Sequence, residues 1–104
     1  MKNTVSFHYR EDRRERENLI REIGYGTKLE EFLEDRGHPN GAEIHRLSTT
    51  GIVTIFNART NKLITKIIAT PGQIRRYYEN RGRVAPEDII RIAYENRKRN
   101  PYNI

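Results

Sequence analysis

The sequence contains no cysteine and no long apolar run. The absence of cysteine excludes a disulfide framework and any chemistry that depends on a thiolate. No stretch approaches the roughly 18 consecutive apolar residues of a membrane-spanning helix, and the opening segment "MKNTVSFHYR" lacks the apolar core of a signal peptide. We therefore expect a cytoplasmic protein that does not enter a membrane.

Motifs for metals and for nucleotide phosphates are also missing. His8, His38 and His45 do not have the spacing of metal ligands, so we expect no metal site. Neither glycine-rich phosphate-binding pattern occurs, and "GYG" at 24–26 does not follow a predicted strand. Nucleotide hydrolysis is not supported, and we expect no cofactor.

The chain is rich in charge, and its charge is unevenly distributed. Of its 104 residues, 33% are charged and 35% are hydrophobic, which predicts one small basic domain, residues 1–104, with a thin core. Residues 1–40 carry 8 basic and 9 acidic groups, whereas residues 41–104 carry 12 basic and 5 acidic groups, a net +7. Such an excess is typical of a protein with an anionic partner. Nucleic acid is the first candidate, RNA before DNA, and an acidic protein surface is the second. A basic face that is merely solvated is the alternative.

The first part of the chain has two helical patterns. One is predicted to start with Asp12 as N-cap and to end before Gly24. The other is predicted over residues 28–36, because Thr27 and Glu30 have the spacing of a capping box.

The second part changes period. "AEIHRLS", "IVTIFNA" and "LITKIIA" are rich in β-branched residues and predict a three-stranded antiparallel meander, in which Asn61 is expected to take a left-handed turn position. Thr70, Pro71 and Gln73 then have the positions of N-cap, N1 and N3 of a helix over "PGQIRRYYENRG". A last helix begins at Pro86, with acidic residues first and basic residues last. The predicted fold is therefore α+β in the order ααβββαα.

The register of the meander decides which side chains share a face. Turns of four residues each would pair His45 with Thr54 and Phe56 with Thr65. One face then forms the core wall, with Ile44, Val53, Ile55, Ile64 and Ile68. The other brings His45 near Thr54 and Thr65, with Glu43 on the same strand. A histidine beside hydroxyls and a carboxylate is a minimum set for acid–base chemistry on a phosphodiester. His45, Thr54 and Thr65 are thus candidate catalytic residues, unless this is simply an exposed histidine among strand-forming threonines.

Arginines and tyrosines are interleaved in "GQIRRYYENRGR", residues 72–83. Arginine binds phosphate, and a tyrosine ring can stack on an unpaired base. Because Ile74 shares one side of the helix with Tyr77 or Tyr78, at least one ring is expected in the core. With the basic residues of the hairpin, the predicted nucleic-acid-binding residues are Arg59, Lys62, Lys66, Arg75, Arg76, Tyr78, Arg81 and Arg83.

The block "GIVTIFNARTNKLITKIIATPGQIRRYY", with "EIH" before it, resembles the hairpin of small bacterial ribonuclease toxins of the barnase, colicin and RelE-like group. The resemblance covers residues 43–78. It implies helices before an antiparallel sheet whose face cleaves RNA without a metal. Carried onto this chain, it makes His45 the acid or base, Arg59 or Lys66 the phosphate contact, and Thr54 or Thr65 a polar helper. The predicted three strands and the two helices that follow them depart from that group.

Three hypotheses follow. The first is a small nucleic-acid-binding domain that contacts phosphates without sequence specificity, so that its binding weakens steeply with salt. The second is a metal-independent ribonuclease, which requires an exposed His45 near Arg59 or Lys66. The third is a phage-type inhibitor that binds a nucleic-acid-processing enzyme through its basic surface.

Overall fold

The structure, a computed structural model, describes the backbone of residues 2–35, 37 and 41–99, and within these ranges the side chains from residue 13 onward. The fold is α+β. Its elements in chain order are α1 (Lys2–Ile23), β1 (Lys28–Glu34), β2 (Glu43–Ser48), β3 (Ile52–Asn57), β4 (Leu63–Ile68), α2 (Pro71–Glu79) and α3 (Glu87–Arg99). Within the described ranges, no helix is both long enough and apolar enough to cross a membrane.

The four strands form one antiparallel sheet in the order β1-β2-β3-β4. One face, which we call the covered face, packs against α2 and α3. Its core comprises Phe32, Leu47, Val53 and Ile55 from the sheet, with Ile74, Tyr77, Tyr78, Ile89 and Ala93 from the helices. The other face, which we call the open face, is covered by α1 at one end, where Ile20 packs against Ile52 and Ile68. Farther along, it exposes apolar side chains such as Leu33, which is 62% exposed.

The predicted second helix, residues 28–36, is wrong: this segment contains the edge strand β1, and the order is αββββαα. Phe32 is 1% exposed on the covered face, while its neighbour Leu33 points to the open face. Thr27, predicted as a helix cap, instead exchanges hydrogen bonds with Thr49. The Thr49 amide donates to the Thr27 carbonyl at 2.8 Å, and the Thr27 amide donates to Thr49 Oγ1 at 3.1 Å.

Tertiary pairing explains this reversal of the local preference. Differences in helix propensity amount to only about 0.7 kcal/mol or less per ordinary residue. Burying the Phe32 ring alone contributes about 1.5–3 kcal/mol, and pairing with β2 satisfies the backbone of the segment as well. The strand is therefore stabilised by partners that lie far away in the sequence.

The first helix ends as predicted but begins earlier. α1 starts at Lys2, so Asp12 lies inside the helix and not at its N-cap, which corrects the predicted start. The highly charged run around it consists mostly of residues with good helix propensity, which lets the helix continue. At the other end, the Gly24 amide donates to the Ile20 carbonyl at 2.8 Å, and Gly24 has a φ of +83°.

The two C-terminal helices are confirmed. At the start of α2, the Gln73 amide donates to Thr70 Oγ1 at 3.1 Å, and the Thr70 amide donates to Gln73 Oε1 at 2.8 Å. Pro71 follows the cap, as predicted. α3 has two acidic residues in its first turn and three basic residues in its last, the order that the helix dipole favours.

Candidate nucleic-acid interface

The β2–β3 and β3–β4 registers are each one residue away from the predicted ones, and this exchanges the two faces of β3 relative to its neighbouring strands. His45 pairs with Ile55 and not with Thr54, while Leu47 pairs with Val53. The reason is the β2–β3 loop, which has three residues, 49–51, and not four. Loops of this length end in a left-handed residue, and Gly51 has a φ of +86°. The predicted core wall is therefore divided: Val53 and Ile55 lie on the covered face, whereas Ile44 and Ile68 lie on the other.

His45 lies on the covered face beneath α2 and is 8% exposed. Its Nε2 is 2.8 Å from Glu43 Oε1, and its Nδ1 is 2.8 Å from the Tyr77 hydroxyl. Since an ionised carboxylate only accepts hydrogen bonds, Nε2 donates to Glu43 and Nδ1 accepts from Tyr77 in the neutral ring. Both nitrogens are thus occupied, next to a small cavity of about 150 Å³ that Gln73 and Arg76 help to line.

The structure does not bring the three predicted catalytic residues together. Thr54 lies on the open face, opposite to His45. Thr65 shares the covered face, but Ile55 stands between it and His45, two strand spacings of about 4.8 Å each. The proximity to Glu43 is the only part of the predicted site that the geometry retains.

A row of polar side chains crosses the open face instead. In register across the four strands, Glu31 pairs with Arg46, Arg46 with Thr54, and Thr54 with Lys66. We call these four residues the polar row. Arg46 Nε donates to Glu31 Oε2 at 2.8 Å. With neighbouring strands about 4.8 Å apart, the row spans about 14 Å. It places one cation, Arg46 or Lys66, on each side of the Thr54 hydroxyl.

Two aromatic rings lie beside the polar row. The Arg46 guanidinium is 5.0 Å from the centroid of Phe56, and Lys66 Nζ donates to the Tyr25 hydroxyl at 2.9 Å. Tyr25 is 42% exposed. Between α1 and β4 it borders a cleft of about 410 Å³, which is lined by Glu17, Ile20, Arg21, Tyr25 and Lys66. Rings and cations thus lie side by side on the open face, where Tyr25 is exposed and Phe56 is partly buried.

The β3–β4 turn extends this surface. Asn57 Oδ1 accepts from the amides of Arg59 and Thr60, both at 2.9 Å, and Asn61 adopts the predicted left-handed conformation with a φ of 62°. This ordered turn holds Arg59 and Lys62 exposed. Among the described side chains, neither has an ion-pair partner.

The predicted residues of α2 and its following loop lie on the opposite side of the molecule. Tyr78 is 1% exposed in the core and has no face on which a base could stack. Arg81 is tied to β1: it donates to the Leu33 carbonyl and to Glu34 Oε2, the latter at 3.1 Å. Arg75 and Arg76 are exposed. The predicted binding residues therefore form two surfaces, one on each side of the sheet.

Arg83, in the loop after α2, forms an ion pair with Glu30 of β1. Its Nη2 donates to Glu30 Oε1 at 3.2 Å, and this hydrogen bond lowers the pKa of the Glu30 carboxyl below its ordinary value. The same bond raises the pKa of Arg83. Burial, together with the nearby Glu30 charge, raises the pKa of Tyr78. These residues connect β1 to the end of α2.

Sequence reasoning missed four residues of the open face: Tyr25, Glu31, Arg46 and Phe56. Tyr25 and Glu31 lay in or next to a segment interpreted as helical, and Arg46 shares its face of β2 with Ile44, which was predicted to belong to the core wall. One signal could have found part of the row. If Gly51 is taken as the last residue of a three-residue loop, Arg46 pairs with Thr54, but Lys66 joins them only because the β3–β4 register is also one residue away from the predicted one.

Comparisons of the chain with known protein families, curated proteins and solved structures found no match. Within the part of the chain that the structure describes, no group of three or more histidine, aspartate or glutamate side chains could hold a metal ion. The side chains of His8 and His38 lie outside that part.

Proposed function

We propose that this protein binds single-stranded RNA in the cytoplasm across the open face of its sheet. The observation that carries the proposal is the register that aligns Arg46, Thr54 and Lys66 as direct neighbours. Phe56 and Tyr25 lie beside these cations. Phosphates would contact Arg46 and Lys66, and unpaired bases would stack on the two rings.

The shape of the surface favours a single strand over a duplex. A four-stranded sheet with accessible aromatic rings is one established way to bind splayed-out RNA bases. The rings can stack on any base, so such binding tolerates many sequences. The cations at the β3–β4 turn, Arg59 and Lys62, would extend the path for the backbone beyond the polar row.

The first experiment is anisotropy titration of a fluorescent uridine-rich oligonucleotide over a range of salt concentrations. The variants are Arg46→Ala and Lys66→Ala, with Arg76→Ala as the matched control that removes one exposed charge from the opposite side. We expect each open-face variant to weaken binding and to reduce the salt slope by about 0.7, the value of one lost contact to a single strand. We expect Arg76→Ala to change neither. Equal losses in all three variants would show that bulk charge, and not the open face, binds the RNA.

A second candidate function on the same face is cleavage of RNA without a metal. The observation that favours it is the Glu31 carboxylate, 2.8 Å from Arg46 Nε and in the same row as Lys66. Glu31 would take the proton of a 2′-hydroxyl, which attacks the adjacent phosphorus, and the departing 5′-oxygen would take a proton from water. Arg46 and Lys66 would stabilise the charge that develops on the phosphate. His45 has no part in this arrangement.

Incubation of labelled RNA in EDTA tests the cleavage candidate with Glu31→Gln and His45→Ala. Cleavage that is lost in Glu31→Gln and retained in folded His45→Ala would support it. Loss in His45→Ala alone would instead restore the catalytic site expected from the sequence. RNA binding without cleavage in any form of the protein leaves RNA binding as the function.

A further inference from the structure

A groove lies between α2 and α3, on the side of the molecule away from the polar row. Its volume is about 500 Å³. Ala85 and Ile90 form part of its lining and also pack against the core of the covered face. Tyr94 lines it farther along α3 and is 44% exposed, and Val84 at its border is 91% exposed. A groove lined by several apolar side chains, and not one exposed residue by itself, is a feature of surfaces that bind another molecule.

The loop that carries Val84 is held by the end of α2. The amides of Arg81 and Arg83 both donate to the Tyr78 carbonyl, at 3.0 and 2.9 Å, and the Gly82 amide donates to the Glu79 carbonyl at 2.9 Å. The side chain of Arg83 is further fixed by Glu30. Val84 is therefore presented on an ordered loop, which reduces the entropy that a partner would have to remove on binding.

Three arginines supply positive charge around the groove. Arg75, Arg83 and Arg91 line it, and Arg75 also lies 5.9 Å from the Tyr94 ring centroid. The pair between Arg91 and Asp88 is 3.7 Å long and exposed on both sides, so it leaves Arg91 available to another carboxylate.

The mixture of side chains distinguishes an acidic peptide from RNA. Glu79 and Glu87 also line the groove, and they would repel a nucleic-acid backbone that carries a charge on every nucleotide. The floor is mainly aliphatic, and Arg75 is already near the exposed ring. Aliphatic side chains fill such a floor better than bases do. An amphipathic helix can place its carboxylates beside the arginines and keep them away from the two glutamates.

We propose that the groove between α2 and α3 binds an acidic amphipathic helix of a partner protein, with aliphatic side chains packed against Val84 and Ile90 and carboxylates paired with Arg75 and Arg91. Helices that bind grooves in this way present apolar residues at positions i, i+3, i+4 and i+7. This inference does not depend on RNA binding, since the two surfaces lie on opposite sides of the sheet.

The test uses the full chain and a labelled helical peptide of about 15 residues, roughly 22 Å long, with leucines at that spacing and glutamates at the remaining exposed positions. A peptide of the same composition in scrambled order controls for charge alone. The protein variant is Val84→Asp, and Leu33→Asp is the matched control, because it makes the same kind of change at an exposed apolar residue on the open face. Circular dichroism establishes that both variants fold.

We expect saturable binding of the amphipathic peptide and at least about tenfold weaker binding by Val84→Asp, because the new carboxylate would face the apolar side chains and carboxylates of the peptide. Leu33→Asp should bind as the wild type does, and the scrambled peptide should bind weakly to all forms. No saturable binding, or equal binding of both peptides, would overturn the proposal. Displacement of the peptide by uridine-rich RNA would also overturn the proposal if Arg75→Glu abolished this displacement and Val84→Asp did not affect it. That result would assign the groove to nucleic acid. Self-association that Val84→Asp abolishes, without peptide binding, would assign it to a second copy of the chain.

Discussion

Replacement of Tyr78 by alanine tests the placement of this ring, which sequence reasoning assigned to base stacking. In the structure Tyr78 is 1% exposed, and its ring lies edge-on to Phe32 with centroids 5.1 Å apart. The Arg83 guanidinium covers it at 5.1 Å from its centroid. Tyr78→Ala is therefore a cavity-forming core substitution and not a change in a binding surface.

The expected cost follows from that burial. Truncating a large buried aromatic side chain costs about 3–5 kcal/mol, because transfer and cavity contributions add. Proteins of this kind have about 5–15 kcal/mol of total stability, so the loss is a large share of it. With a urea m-value of about 2 kcal/mol per molar, the unfolding midpoint should fall by about 2 M. Tyr94→Ala is the matched control, since that ring is 44% exposed and its loss should cost about 1 kcal/mol or less.

Urea unfolding followed by circular dichroism measures both variants, and RNA anisotropy is recorded on the folded protein. Tyr78→Phe, which keeps the ring, should bind RNA as the wild type does. The reasoning is refuted if Tyr78→Ala unfolds at the wild-type urea concentration while its RNA binding is weaker. That result would place the ring at the surface.

Three further predictions concern stability. Arg81→Met removes charged hydrogen bonds between α2 and β1 and should cost about 2–3 kcal/mol in urea unfolding; a loss near zero would show that the arginine does not hold the two elements together. Arg83→Gln should let the pKa of Glu30 rise back towards 4.5, measured by NMR titration. Because the folded-state pKa is lowered, the pair stabilises the fold above pH 4.5, and this stabilisation is lost as the pH falls through the folded-state pKa; a variant with unchanged acid stability would contradict it. Gly51→Ala adds a Cβ that would lie 2.8 Å from the Asn96 side chain, whereas Gly41→Ala has the same backbone strain with open space around it, so the free energy of unfolding should fall further in Gly51→Ala; equal losses in the two variants would refute the packing argument.

Several elements of the fold could be predicted from the sequence because their signals are local. The capping box of α2 joins Thr70 and Gln73, three residues apart, through their own side chains and amides. The strands β2, β3 and β4 have β-branched residues and turn residues in sequence, and Asn61 takes the expected left-handed conformation. The uneven charge is likewise a property of composition. None of these features needs a distant partner.

The candidate site depended on longer-range geometry. The length of the β2–β3 loop decides which face of β3 lies beside which face of β2, so Thr54 lies in line with Arg46 and not with His45. A shift of one residue in the β3–β4 register then brings Lys66 into the same row. A sequence pattern allows both loop lengths, and only packing against α2 and α3 selects between them.

The sequence by itself determined the local elements, the absence of cysteine chemistry and the excess of positive charge in its second part. Only the tertiary structure decided that residues 28–34 form a strand, and which arginines are free to meet a partner. Arg81 and Arg83 are paired with acidic residues 47 and 53 positions earlier in the chain, whereas Arg59 and Arg76 stay exposed. The physical reason is that hydrogen bonds and apolar burial between distant segments outweigh local preferences of a few tenths of a kcal/mol per residue, and folding alone brings those segments together.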